Sequence, residues 1–365
     1  MRLIGKEEIE NIAIGAALLG TGGGGDPYIG KLMAIQAVEE NGPIRLLSLD
    51  EVPDDALIVP SAMMGAPTVM VEKIPSGHEA LAAFKSLKDF LGQEIYATMP
   101  IEAGGVNSLL PLALAAQIGL PVIDADGMGR AFPELQMVTF YLEGASATPM
   151  VLSDEKGNSL LLNTIDSVWA ERIARSVTVE MGGSVMNAIY PMEGHFVKKA
   201  SIKNILTLEE EIGRTVREAM KQNINPIEDV LELVGGTALF EGKVTDINRR
   251  TEGGFAKGTA TIDGLNKNKG SDCRLHFQNE HLLCEVDGKV RCVTPDLIAV
   301  VDSETGMPIT TEGLRYGARC TVIGIPCDEK WRTEKGIATA GPRYFGYDTD
   351  FTPIEQLNAK AGITK

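Results

Sequence analysis

Two carboxylates, Asp124 and Asp126, stand at the end of the apolar run Pro121-Val122-Ile123. At that spacing they could hold a divalent cation, or one could take a proton from water. Arg130 could pair with Asp126 as it caps the following turn, or steady developing negative charge. Glu102 lies in Glu102-Ala103-Gly104-Gly105, where glycine lets a ligand come close to a carboxylate. Asn107 would touch the same ligand or cap the apolar helix that follows it. Glu134, after Phe132-Pro133, is a further acid. A part-buried carboxyl has the raised pKa needed to protonate a leaving group. His195, in Met192-Glu193-Gly194-His195-Phe196, could shuttle protons, or be an ordinary structural histidine. Met63, Met64 and Met128 offer soft, polarisable contact to a ligand, with core packing as the plainer reading. No Gly-x-Ser-x-Gly elbow occurs, and Cys273 is the first cysteine, so a covalent nucleophile in the N-terminal half has little support.

Those side chains need a frame, and the glycine run at 20 and 22–25 is its most constrained part. Such a run cannot be the interior of a helix or strand. Its N–H groups can converge on an anion or a carbonyl oxygen, and Asp26-Pro27 reads as an N-cap with proline at the first helical position. Gly20, Gly22 and Gly25 satisfy G-x-G-x-x-G, but a helix-like segment precedes them where a nucleotide site needs a strand. A tight turn between crossing helices is one alternative. A substrate loop using Gly22, Gly23, Gly24 and Asp26 is the preferred reading.

Around this loop, residues 44–49, 56–61, 94–99 and 121–124 read as short strands. Polar or glycine-rich loops follow them at 62–67, 100–108 and 124–134. Helical patterns cover 76–91 and 109–118. Strand, polar loop, helix, strand is the order of an α/β unit, in which ligands bind beyond the carboxyl ends of the strands. The pattern therefore predicts an N-terminal α/β domain with a mainly parallel sheet whose loops converge on one crevice. Residues 135–142 look extended, 160–181 helical, and Thr207 with Glu210 forms a capping box for a helix over 206–222. From 237 the texture turns to short strands separated by turns, as in a small antiparallel barrel or sandwich. The expected domains are 1–165 for the substrate site, 166–236 as a helical connection, 237–333 as the β-rich domain, and 334–365 returning to the first part.

Composition bounds the partners. The 365 residues carry a net charge of −16, which opposes nucleic-acid binding because phosphate contacts need clustered Lys and Arg. No apolar run reaches the roughly 18 residues of a membrane span, and the first residues lack the apolar core of a signal peptide. A cytoplasmic protein binding a small molecule is expected. The five cysteines form no C-x-x-C pair, so they are expected as reduced thiols without structural zinc.

Five segments carry a family likeness. Residues 20–27, 63–67, 102–112, 124–134 and the late Gly341-Pro342-Arg343-Tyr344-Phe345-Gly346-Tyr347 together resemble the family catalogued as DUF917, the S-methyl thiohydantoin desulfurase-like proteins. The likeness runs in order from about residue 9 to 354. It implies an N-terminal α/β domain with a smaller β-rich domain after it, and a substrate built on a five-membered cyclic ureide or thioureide. Its reaction would be hydrolytic loss of methanethiol, leaving a hydantoin. It brings no assignment of catalytic residues. The alternatives are an ATP-using or a non-catalytic subunit of a hydantoinase/oxoprolinase-type system, in association with itself or with such a partner. No cofactor is expected, apart from the divalent cation that Asp124 and Asp126 could hold.

Overall fold

A computed structural model describes residues 1–66, 69, 72, 73 and 75–360. Pro67, at the end of one family segment, lies outside them, and the C-terminal segment is described as far as 360.

The apolar runs of the N-terminal half do line up side by side. Ile44–Leu47 pairs in parallel with Val122–Ile123. Single parallel bridges carry the row onward, from Val122 to Thr98, Ala97 to Ile58 and Pro100 to Ser61. The sheet is nevertheless mixed, not mainly parallel. Arg2–Ile4 adds to Ile44–Leu47 antiparallel. Residues 62–65, expected to begin a loop, instead belong to a strand, Ser61–Gly65, that pairs antiparallel with Ser184–Ala188. Ser184–Ala188 also pairs with Met150–Ser153. Segment 94–99 makes only bridges, and 135–142 ends in a short helix, Thr139–Leu142, rather than a strand. Residues 160–181 divide into a strand, Ser159–Leu162, and a helix, Ser167–Glu180.

Helices cover this layered core. Asp26 accepts from the Tyr28 N–H at 2.8 Å and starts helix Pro27–Asn41, as its Asp-Pro pair foretells. Helix Gly105–Ile118 ends at Gly119 with φ of 72°, the left-handed cap that glycine adopts freely. Helices Lys6–Leu19 and Ile205–Gln222 cross with backbones in contact: a Cβ on Gly213 would stand 1.9 Å from the Asn11 carbonyl oxygen. The last helix begins at Ile205, before the expected capping box. Its start is satisfied from outside, because Asp124 accepts from the Thr207 N–H at 3.1 Å.

In the C-terminal half seven antiparallel strands form one sheet. The sheet curls so that Leu297–Asp302, at one edge, packs back against Glu280–Val286 and Lys289–Val293. Its inner face is a separate apolar core that includes Cys273, Cys284, Cys292 and Cys320. These cysteines are buried free thiols acting as small hydrophobes. The main core spans both halves, joining Ile12, Leu112 and Ile123 to Ala299, Ile323 and Trp331. Among the described residues no helix is long and apolar enough to cross a membrane.

A carboxylate cleft between the two halves

The tip of one hairpin brings the halves together. Strands Asp272–Gln278 and Glu280–Val286 meet at Asn279, which takes a left-handed φ of 61°. The tip docks on the glycine loop. His281 N–H donates to the Thr21 carbonyl at 2.8 Å, and the Thr311 N–H to the Gly22 carbonyl at 2.9 Å. At Gly23 the approach is closest, since a Cβ there would lie 2.0 Å from Glu280 Oε1. The loop therefore wraps a carboxyl group of the protein itself. Gly24 and Gly25 reach the cleft edge, whereas Gly22 faces His281 and Thr311 and Gly23 faces Glu280. Asp26 serves as the cap of its helix.

Glu102, Glu134, Met64 and Asn107 line the cleft beside Glu280. The cavity is small, about 60 Å³, well below the ~300–1,000 Å³ usual for drug-sized ligands. Met63, Ile101, Met128, Phe132 and Ile189 supply an apolar wall. Asn107 both holds and aims. Its Oδ1 accepts from Met63 N–H at 2.7 Å, while its Nδ2 donates to Glu102 Oε1 at 2.6 Å. The Phe132 N–H donates to Glu102 Oε2 at 3.1 Å. Burial dominates these bonds and pushes the Glu102 carboxyl up to about 7. Burial also holds Glu280 well above the ordinary carboxylate range, and the charge of neighbouring Glu102 raises it further. Glu280 Oε2 has no hydrogen-bond partner among the described residues. Glu280 is thus biased toward its protonated form, while Glu102 is poised to exchange a proton near neutral pH.

Arg130 is fully buried and does not line the cleft. It forms no pair with Asp126. Its guanidinium donates to the carbonyls of Ala131, Pro295, Asp296 and His281 and to the Thr21 hydroxyl at 2.8–3.3 Å. From there its charge favours the anionic forms of both Glu102 and Glu280. Asp126 sits behind the cleft wall, accepting from the N–H groups of Met128 and Gly129 at 3.2 and 2.7 Å. Burial raises its pKa strongly, and the charge of Glu102 adds to the rise. Asp124 is turned toward the Thr207 helix start. His195 is exposed beside Asp54 and Glu193, outside the cleft. Glu134 stands at the cleft with its Oε2 2.7 Å from the Tyr344 hydroxyl, which donates to it from the late aromatic segment. No group of three or more His, Cys, Asp and Glu side chains among the described residues is arranged to hold a metal ion.

Three cleft residues escape a reading of the sequence. Glu280 is a charged residue at a hairpin tip, where solvent is the usual surrounding. Arg175 comes from helix Ser167–Glu180; its Nε donates to Glu171 at 2.8 Å and its Nη2 to the Pro133 carbonyl at 2.8 Å. Asn187 is a polar interruption in the buried strand Ser184–Ala188. The only local hint at Asn187 is that polar residue between Met186 and Ala188.

Fold and site define a two-part α/β protein with a carboxylate cleft where its halves meet. The chain belongs to the S-methyl thiohydantoin desulfurase-like (S-Me-THD-like) family. The model of that family's N-terminal domain matches residues 7–164, and the model of its C-terminal domain matches 165–354. A crystal structure of a protein from Chromobacterium violaceum shares the fold. It has a TM-score of 0.79 at 22% identity, covering 97% of this chain and all of the other. No curated protein matches the sequence.

Proposed function

We propose that the cleft binds a five-membered cyclic ureide or thioureide and hydrolyses it, with S-methyl thiohydantoin as the substrate and methanethiol and a hydantoin as products. Family membership supports the ring class. The observation that carries the chemistry is the pair of buried carboxyls, Glu102 and Glu280, on one cleft.

In this reading ionised Glu102 takes a proton from water as its oxygen bonds to C2 of the ring. Protonated Glu280 gives its proton to the ring nitrogen whose double bond to C2 opens. The intermediate carries hydroxyl and methylthio groups on C2. It collapses when the Glu280 carboxylate removes the hydroxyl proton, C2 becomes a carbonyl, and the carbon–sulfur bond breaks. Glu102 returns its proton to the departing thiolate. Both carboxyls end as they began, and one water is consumed. The apolar wall of Met63, Met128 and Phe132 suits a methylthio group and limits competing water.

The test is to incubate the protein with S-methyl thiohydantoin, titrate free thiol and identify the ring product. Stoichiometric methanethiol and hydantoin support the reading. An intact substrate, or a product with the ring opened and sulfur retained, overturns it.

A further inference from the structure

Asn187 is 1% exposed and lines the cleft, yet neither its Oδ1 nor its Nδ2 has a hydrogen-bond partner among the described residues. Buried amides are otherwise almost always satisfied, because each orphaned group forfeits its hydration without replacement. Two other buried side chains of the cleft are fully partnered, since Asn107 uses both amide atoms and Glu102 both oxygens, whereas Glu280 Oε2 shares the orphaned state of Asn187. Asn187 is held where it is by the sheet. Its strand pairs with Ala62 on one side and with Leu152 on the other, so the backbone cannot turn to satisfy the side chain. Val185 and Ile189, which share its face, belong to the apolar core. A leucine would fit that pattern without cost. The amide is therefore a donor and an acceptor side by side, presented to whatever enters.

We infer that Asn187 reads the ligand through a cyclic cis-amide edge, an adjacent N–H and C=O that form two antiparallel hydrogen bonds with the side-chain amide. Only a small ring fixes an amide as cis, because an open-chain secondary amide is trans. The cleft thus selects lactams, imides and ureides over linear amides and over rings methylated on that nitrogen. The assignment of which edge is read rests on the hydantoin-ring reading above. Chemistry there falls on C2, so the edge left undisturbed is N3–H with C4=O. Holding the proton on N3 leaves N1 as the imine nitrogen, the atom that receives the proton of Glu280. Asn187 is then a specificity residue that also fixes the reactive tautomer.

Calorimetric titration of wild type and Asn187→Leu with hydantoin, 2-pyrrolidinone, N-methyl-2-pyrrolidinone and 1,3-dimethylhydantoin, which keeps no ring N–H, tests this. Wild type should bind hydantoin and 2-pyrrolidinone about tenfold or more tighter than their N-methylated forms, the penalty for leaving a buried polar pair unmatched. In Asn187→Leu that discrimination should vanish while melting temperature holds or rises, since two orphaned groups are gone. If Asn187 merely held a structural water, the variant would melt lower and discriminate as before, and the inference would fall. Failure of wild type to separate the N–H rings from the N-methyl rings would also overturn it, even if the variant did not fold. Edge-selective binding without methanethiol release would leave Asn187 as assigned and remove the desulfurase reading instead.

Discussion

At Glu102 a single group bears on stability and, in the proposed reaction, on rate. Its carboxyl is pushed up to about 7 from an ordinary 4.5, so between those values the folded chain holds a proton that the unfolded chain has released. Stability contributed by that proton is complete at acid pH and is lost as pH rises through about 7. The shift corresponds to ~3 kcal/mol. Glu102→Gln removes the titration. Denaturant melts at pH 5 and pH 8 should show the variant losing less stability than wild type over that interval. Its turnover should fall by at least ~10²-fold, the usual cost of a missing positioned base. Asp124→Ala should act differently: it removes the acceptor of the Thr207 N–H and lowers stability by ~1 kcal/mol, the scale of a lost helix cap. Differential scanning calorimetry distinguishes the two.

At the scale of elements, backbone contacts decide what the sequence reveals. Gly213→Val should destabilise by ~1–3 kcal/mol, read as a lower urea midpoint, because its side chain would drive helices Lys6–Leu19 and Ile205–Gln222 apart. Gly23→Ala should cost activity together with stability, because the added Cβ meets the Glu280 carboxyl rather than open space. The Asp26-Pro27 helix start and the apolar runs at 44–49, 56–61 and 121–124, each of which holds a short strand, were legible, since capping and strand pattern are local properties. Ser61–Gly65 was not. Its Met63-Met64-Gly65 lacks a strand alternation, and its partner, Ser184–Ala188, lies more than a hundred residues on. Glu102 and Asn107 could be picked out because glycines flank them. Glu280 and Asn187 owe their burial to long-range docking, which leaves no trace in spacing.

The whole molecule behaves as one unit across the family's domain boundary. Arg130, from the N-terminal half, gives three of its five side-chain hydrogen bonds to Pro295, Asp296 and His281 of the other half. In return, Ser184–Ala188 completes a sheet begun by Ser61–Gly65. Residues 7–164 expressed alone should therefore lack a cooperative thermal transition and should not bind hydantoin, which calorimetry and titration would register. The central claim is that Glu102 and Glu280 act as a base and acid pair on a ring held in this cleft. Its most direct test is the initial rate of methanethiol release from S-methyl thiohydantoin against pH, in wild type, Glu102→Gln and Glu280→Gln. Wild type should rise through a pKa near 7 as Glu102 ionises. Glu102→Gln should be slower by at least ~10²-fold and lack that rise, and Glu280→Gln should be slowed comparably while keeping it. A wild-type rate in either variant, or a profile whose rise survives in Glu102→Gln, would contradict the account.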